Sequence, residues 1–273
     1  MSEVVPLVPA HRLRLRSAGI VRRLVIRSSE RLGVYRHVRS SYQLAANRRQ
    51  YRFERQTRAF LAPFVRPGDL VFDVGANQGA FVNHLLGLGA RVVAIEPIPE
   101  LAATLDRRYP SVRVVRAALG AEIGSTTLYV GERLSSSTVS NEWREIVGDE
   151  WVQRSIDVPM LTLDGLVASF GQPSFVKIDV EGYEAEVLRG LSLPLQAFSF
   201  EYQARAVHLT ASALERVQEL GPYVFNFTRN LPYGTKPEFR LRTFADANEL
   251  LAALEEEAAE IPPMYGDIYA RSR

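Results

Sequence analysis

The chain has 273 residues, 33 of them basic and 31 acidic, for a formal charge of +2, and 47% of its residues are hydrophobic. That length can bury a substantial core in one α/β domain with an appendage. The absence of cysteine excludes a disulfide framework and a thiolate metal centre, and no run approaches the roughly 18 apolar residues of a membrane span.

The charge is unevenly spread. Residues 1–60 hold 14 arginines against Glu3, Glu30 and Glu54, a net of +11, which leaves residues 61–273 at −9. Pro6 and Pro9 mark a loose tail. From Arg12 to about Arg39 the pattern permits an amphipathic helix, broken or ended near Gly33. Val4 to Val8 is short and arginines follow it, the wrong order for a signal peptide, so cytoplasmic placement is expected. A helix of this kind can cap its own acidic domain or lie peripherally on anionic lipid, and both readings stay open. Tyr35, Tyr42, Tyr51 and Phe53 interleave with arginine, yet no base-reading module or zinc spacing accompanies them, which argues against nucleic acid. A boundary is expected near residue 52, with an arginine-rich tail and helical cap over 1–52 and the main domain over 53–273.

Tyr51 to Leu61 reads as the helix entering that domain, and Pro67-Gly68-Asp69 as the turn after it. Leu70-Val71-Phe72-Asp73-Val74 is then a short apolar strand, Gly75-Ala76-Asn77-Gln78-Gly79 a glycine-punctuated turn, and Ala80 to Leu88 a helical pattern. A strand delivering its end into a helix through glycines brings backbone close to a ligand. Ala90 to Glu96 is the second strand, and an acid at its end can accept the hydroxyls of a ribose. A dinucleotide site would want G-x-G-x-x-G; here Asn77 replaces the second glycine, and Asp73 would sit close to any pyrophosphate. A nucleoside bearing an ammonium group and no phosphate suits this turn, and S-adenosylmethionine is such a molecule.

Glu100 to Tyr109 is the next crossover helix and Val112 to Arg116 the third strand. Residues 120–160 are too many for a simple connection and read as a lid or substrate wall. Within them Ser125 to Val130 is a strand, Ser135, Ser136, Ser137, Thr138 and Asn141 can hydrogen-bond a polyhydroxylated acceptor, and Trp143 or Trp151 can pack on a sugar face. Thr162 caps a helix to Phe170, with Asp164 structural. Phe175 to Val180 is the fourth strand of the main sheet, ending in Asp179-Val180-Glu181-Gly182. Lys177 shares a face with Asp179 in a strand buried on both sides, so it must pair with an acid, Asp179 or Glu201. Glu184 and Glu186 fall in the next helix as first-turn and surface charge.

Ala197 to Tyr202 is the fifth strand, with Glu201 at its end as an alternative base, a hydroxyl-binding group, or a partner of Asp179 at a divalent ion. The spacing alone assigns no metal ligand. His208 reads as a solvent-facing loop residue and His84 as packing or surface. Thr210 caps Ala211 to Leu220, Asp246 with Glu249 resembles a capping box, and Tyr223 to Thr228 and Tyr265 to Ala270 supply the closing strands. Tyr202, Asn226 and Arg229 are placed at the border of the acceptor site.

Val71 to Gly79, Glu96-Pro97, Thr162-Leu163-Asp164, the run Val176-Lys177-Ile178-Asp179-Val180-Glu181-Gly182-Tyr183-Glu184 and Val187-Leu188-Arg189-Gly190 together resemble the FkbM-type family of S-adenosylmethionine-dependent methyltransferases, from about Phe53 to Tyr269. The resemblance implies a class I methyltransferase fold: a Rossmann-like, mostly parallel seven-stranded sheet closed by an antiparallel C-terminal strand pair. It also implies methyl transfer to a hydroxyl of a sugar, glycolipid or polyketide-like metabolite. In that reading Gly75 and Gly79 shape the cofactor turn, Asp73 and Asn77 lie near the cofactor's amino-acid moiety, Glu96 meets the ribose, and Ala117 and Ala118 lie at the adenine. Asp179, Glu181 and Glu201 are the candidates for positioning or deprotonating the acceptor. Two rivals remain, a nicotinamide-dependent oxidoreductase and a catalytically inactive cofactor-binding adaptor. Nothing in the sequence sets the oligomeric state.

Overall fold

The computed structural model describes residues 35–148, 151–229, 235–260 and 265–273. The chain divides into two compact units, Met1–Phe53 and Glu54–Arg273. The first unit is described only from Tyr35, where a helix, α1 (Tyr35–Leu61), begins. The amphipathic helix expected from Arg12 lies outside the described residues as far as Val34, and the turn expected at Pro232-Tyr233-Gly234 lies outside them as well. Among the described residues no helix is long and apolar enough to cross a membrane.

The second unit runs β1 (Leu70–Val74), α2 (Ala80–Gly87), β2 (Arg91–Ile95), α3 (Pro99–Arg108), β3 (Arg113–Val115), β4 (Ala118–Leu119), β5 (Gly124–Gly131), α4 (Asn141–Val147), β6 (Val152–Leu161) and α5 (Leu163–Phe170). It continues with β7 (Phe175–Ile178), α6 (Glu184–Arg189), β8 (Ala197–Gln203), α7 (Val207–Leu220), β9 (Tyr223–Phe227), α8 (Ala247–Glu260) and β10 (Tyr265–Ser272). Seven strands form one sheet in the order β3-β2-β1-β7-β8-β10-β9, all parallel except β10, which is antiparallel to both its neighbours. This is the class I methyltransferase topology, and it has a consequence for ligands. The chain leaves β1 towards β2 and β3 on one side and returns to β7 and β8 on the other, so a crevice opens outside the C-terminal ends of β1 and β7.

Alternation along the strands sends successive side chains to opposite faces. Phe72, Val74, Val176, Ile178, Phe198 and Phe200 pack on one face against α5, α6, α7 and α8. Val71, Val92, Ala94, Phe175 and Tyr269 pack on the other with Leu61, Val82, Leu85 and Leu105. Burying each of these large side chains contributes about 1.5–3 kcal/mol, so the central strands are the rigid part of the frame. Asp73, Lys177 and Asp267 follow the second alternation and crowd at one edge of one face.

Local signals start the helices as their sequences suggest. Thr162 Oγ1 accepts the N–H of Gly165 at 3.1 Å, and Asp246 Oδ1 accepts those of Asn248 and Glu249 at 2.9 and 3.0 Å. The start of α7 differs from expectation: the helix begins at Val207, so Thr210 is buried inside it and caps nothing. His208 is therefore helical, exposed, with Nε2 2.7 Å from Glu142 Oε1.

The second sheet, β4-β6-β5, is the main departure from the expected architecture. β6 pairs antiparallel with β5 along most of its length and parallel with β4 at Met160 and Leu161. Its apolar side packs Leu128, Val130, Val158 and Met160 with Ile98 and Leu101 of the α3 region. The stretch 120–160 thus has a core of its own.

Candidate functional site

The first turn is held tightly by its own hydrogen bonds. Gly75 and Ala76 donate to the Ile95 carbonyl at 3.0 Å each, Asn77 N–H donates to Glu96 Oε2 at 2.8 Å, and Gly79 donates to the Ala76 carbonyl at 2.8 Å. These N–H groups are satisfied inside the protein, so the turn is no phosphate cradle, and the dinucleotide reading loses its structural basis. Glu96 also accepts from the Ile98 N–H at 2.8 Å. With both oxygens fixed, its carboxylate is a rigid acceptor at the end of β2. Burial raises its pKa to about 7, against the lowering effect of the Ile98 and Asn77 N–H groups.

Gly75 is required by its surroundings. Its φ is +80°, and a Cβ there would overlap the carbonyl oxygen of Asp179 and stand 2.9 Å from its carbonyl carbon. The cofactor turn and the acidic turn after β7 are therefore in van der Waals contact, backbone to backbone. Asp179 N–H extends the strand pairing by donating to the Val74 carbonyl at 3.0 Å.

An open crevice lies over this junction. It brings together five of the seven residues expected around the cofactor, Gly75, Asn77, Glu96, Ala117 and Ala118, with Asp179 and Glu181 and with Leu134, Ser135, Ser137, Thr138 and Val139 from the 120–160 stretch. Asp73 and Gly79 are not part of its lining. Gly79 lies beneath the turn, its carbonyl accepting the Tyr109 hydroxyl at 2.9 Å. Asp73 is 2% exposed, and its Oδ2 has no hydrogen-bond partner. Burial raises its pKa to about 7, with Lys177 pulling the other way and Asp179 and Glu96 adding to the rise. A buried carboxylate oxygen lacking a donor, beside a crevice walled by acids, fits a cationic ligand.

The second turn is built on Glu181, a non-glycine residue at φ +55°. Glu184 holds it there, its Oε1 accepting from Val180 N–H at 3.1 Å and Gly182 N–H at 3.3 Å. Thr138 Oγ1 donates to the Glu181 carbonyl at 2.7 Å. Glu184 is therefore a buried brace rather than the surface charge its place in a helix suggests, and burial raises its pKa to about 7. Glu186 does pair at the surface, with Arg189. Trp143 is buried under Gly182 and supports the turn instead of presenting a ring to a sugar.

Asp179, Glu181 and Glu201 each place a carboxylate oxygen within 4.8 Å of the others. Burial, then the neighbouring Asp179 and Glu184, raises Glu181 to about 8; burial, then Asp179 and Glu181, pushes Glu201 well above the carboxylate range. Glu201 Oε2 is buried and without a partner. A tight group of acids has room for a hard cation, and the positive charge that the fold itself brings here is Lys177. Its Nζ donates to Asp179 Oδ2 at 3.0 Å and to Asp267 Oδ1 at 2.9 Å. The expected pairing with Asp179 is present, but Asp267 takes the place of Glu201.

Asp267 is the residue that sequence reasoning missed. Its signal was an acid in the alternating run Tyr265 to Tyr269, on the strand that would lie next to Glu201. Other expected border residues are committed elsewhere. Asn226 is buried and exchanges hydrogen bonds with Leu241, Arg229 pairs with Glu257, and Tyr202 donates to the Thr228 carbonyl at 3.2 Å.

A family model described as the methyltransferase FkbM domain matches residues 73–234, more than half of the chain. The hexuronic acid methyltransferase AglP of Haloferax volcanii is 31% identical over 162 residues, which cover 56% of this chain and 62% of AglP. The chain thus spans less than two thirds of that curated relative. Similar solved structures include the precorrin-6y C5,15-methyltransferase of Geobacter metallireducens, 13% identical with a TM-score of 0.42 over 79% of this chain and 87% of that one. Another is the fibrillarin of Aeropyrum pernix in complex with S-adenosyl-L-methionine, 12% identical with a TM-score of 0.40 over 76% and 68%. The fold class rests on the strand order and not on these scores.

Proposed function

The chain belongs to the FkbM methyltransferase family, and from that premise we propose that it is an S-adenosylmethionine-dependent O-methyltransferase acting on a hydroxyl of a sugar-type small molecule. One observation carries the reading: the turn suited to the cofactor and the acid suited to the acceptor meet at Gly75 and Asp179, under one crevice. S-adenosylmethionine, when bound, supplies an electrophilic methyl carbon on a sulfonium centre. The residues present fit such a molecule. Glu96 can accept from the ribose hydroxyls, Ala117 and Ala118 offer an apolar wall for the adenine, and Asp73 supplies a buried negative charge at the end of β1.

The protein's part in the transfer is alignment and proton handling. Asp179, at the crevice and held by Lys177, orients the acceptor hydroxyl and receives its proton. Glu181 and Glu201 act as partners that bind a second hydroxyl or tune Asp179. A uronic acid, the acceptor class in the name of AglP, is one sugar-type molecule with hydroxyls to offer this site.

The stretch 120–160 serves as the substrate wall, a reading supported by Leu134, Ser135, Ser137, Thr138 and Val139 lining the crevice. The basic segment 1–52 engages a lipid-linked acceptor at a membrane surface, a reading supported by the exposed Arg48, Arg49 and Arg52 of α1. The test is incubation with methyl-labelled S-adenosylmethionine and a panel of neutral sugars, uronic acids and lipid-linked glycans, with mild alkali applied to any product. A base-stable methyl ether supports the proposal; a base-labile ester would move the reaction to a carboxylate, and no transfer by protein that binds the cofactor would favour the adaptor.

A further inference from the structure

Of the chain's 33 basic residues only two, Lys177 and Lys236, are lysines. Lys236 is at the surface beside Glu238. Lys177 is 6% exposed, in the middle of β7, with Phe175, Val176 and Ile178 fully buried around it. A sequence that uses arginine almost everywhere has placed a lysine at the most enclosed Lys or Arg position among the described residues. Chemistry gives a reason. A guanidinium presents a planar fork suited to one carboxylate, whereas an ammonium is compact and can direct its three protons to separate acceptors. Lys177 does that, bridging Asp179 of its own segment and Asp267 of β10, two strands away. On the intervening β8 the residue level with Lys177 is the small Ser199, which leaves room for the bridge.

We infer that Lys177 is the fixed cation of the catalytic edge and that Asp267 is a positioning residue, which orders Asp179 by pinning the ammonium between them. The inference rests on the methyl-transfer reading for its effect on rate; the ion-pair geometry stands without it. The Asp179 side chain is 39% exposed and that of Asp267 30%, while Lys177 is buried behind them. Asp179 lines the crevice, and the buried ammonium holds it from behind. With Asp267 in place the ammonium has a second anchor and cannot rotate away from Asp179. The other groups around it are Asp73 of β1, level with it in register, Glu181, Glu201, Tyr269 and the ring face of Phe81 of α2 at 5.8 Å. Burial disfavours the lysine's charge, and Asp179 and Asp267 more than offset that. Removing one of the two tips the balance towards burial.

With two lysines in the chain, selective labelling gives two side-chain signals, which makes a direct experiment available. Full-length protein carrying lysine labelled at Cε and Nζ is titrated by NMR, with the signals assigned through Lys236→Arg. In the wild type Lys177 is expected to stay protonated beyond roughly pH 10.4, where an unperturbed lysine loses its proton. In Asp267→Asn, which keeps the shape and a carbonyl acceptor, the midpoint is expected to fall by at least one pH unit. On whichever acceptor of the panel above is methylated, Asp267→Asn is expected to lower kcat at least tenfold, leave KM for S-adenosylmethionine within twofold, and move the alkaline limb of the profile to lower pH. A wild-type Lys177 that titrates at or below the ordinary value overturns the inference without any variant. An unchanged midpoint in Asp267→Asn overturns the pinning, and an unchanged kcat overturns the positioning role. Failure of the methyltransferase reading would look different, as wild-type protein that takes up no S-adenosylmethionine while its lysine still titrates high.

Discussion

Gly75→Ala tests the contact between the two turns. The substitution adds one methyl group at φ +80°, where a side chain costs about 1–2 kcal/mol for the left-handed backbone. That methyl would overlap the Asp179 carbonyl oxygen and stand 2.9 Å from its carbon, and both obstacles are backbone. Relief requires moving one turn away from the other, an overpacking cost of about 1–3 kcal/mol. The sum is about 2–5 kcal/mol, and at roughly 2–4 °C per kcal/mol for a domain of this size it lowers Tm by about 4–20 °C. Because the displaced atoms are the cofactor turn and Asp179, uptake of S-adenosylmethionine should also weaken by at least an order of magnitude. Thermal denaturation followed by calorimetric titration of the surviving folded protein measures both. A variant that melts within about 2 °C of the wild type and binds the cofactor normally would refute the claim that the two turns are locked together.

Four further outcomes are expected. Glu184→Gln keeps the carbonyl that accepts from Val180 and Gly182 and should melt near the wild type, whereas Glu184→Ala leaves both N–H groups without that acceptor and should lose about 1–3 kcal/mol; equal melting of the two variants would remove Glu184 as the brace. Asp73 and Glu96 both have folded-state pKa values raised to about 7, so the folded protein keeps protons that the unfolded chain releases from about pH 4. Their contribution makes stability fall as pH rises from about 4 to 7 and level off above. A cationic ligand favours ionised Asp73, so cofactor uptake should tighten from pH 5.5 to 7.5 with proton release, visible as heats that depend on buffer ionisation, and Asp73→Asn should reduce that dependence, leaving the part that belongs to Glu96. Lys177 already supplies positive charge to the acidic edge, so EDTA should leave methyl transfer within about twofold; a loss restored by magnesium would instead put an ion among Asp179, Glu181 and Glu201.

The frame was legible where one physical signal dominates. Leu70 to Val74 and Ala197 to Tyr202 read as strands because buried parallel strands are nearly continuous apolar runs, and Thr162 and Asp246 read as caps because their side chains have few other uses at a helix start. β6 was not legible. Its alternation of Val152, Ile156, Val158 and Met160 is interrupted by Arg154 and Pro159, a residue that usually argues against a strand. The fold tolerates both. Arg154 turns to Glu100 at 2.6 Å, and at Pro159 β6 has only β5 as a neighbour. Asp267 carried a signal, an acid in an alternating run, but pairing a buried lysine with an acid 90 positions away requires knowing that β10 inserts antiparallel next to β8. Glu184 was read as a surface charge because helical position alone does not say that its carboxylate folds back onto the preceding turn.

The most direct measurement is calorimetric titration of full-length, folded protein with S-adenosylmethionine, S-adenosylhomocysteine and a nicotinamide dinucleotide near pH 7.5. The cofactor assignment predicts uptake of the first two at one site per chain and none of the third. Folded protein that takes up neither sulfur nucleoside, or that prefers the dinucleotide, would contradict it.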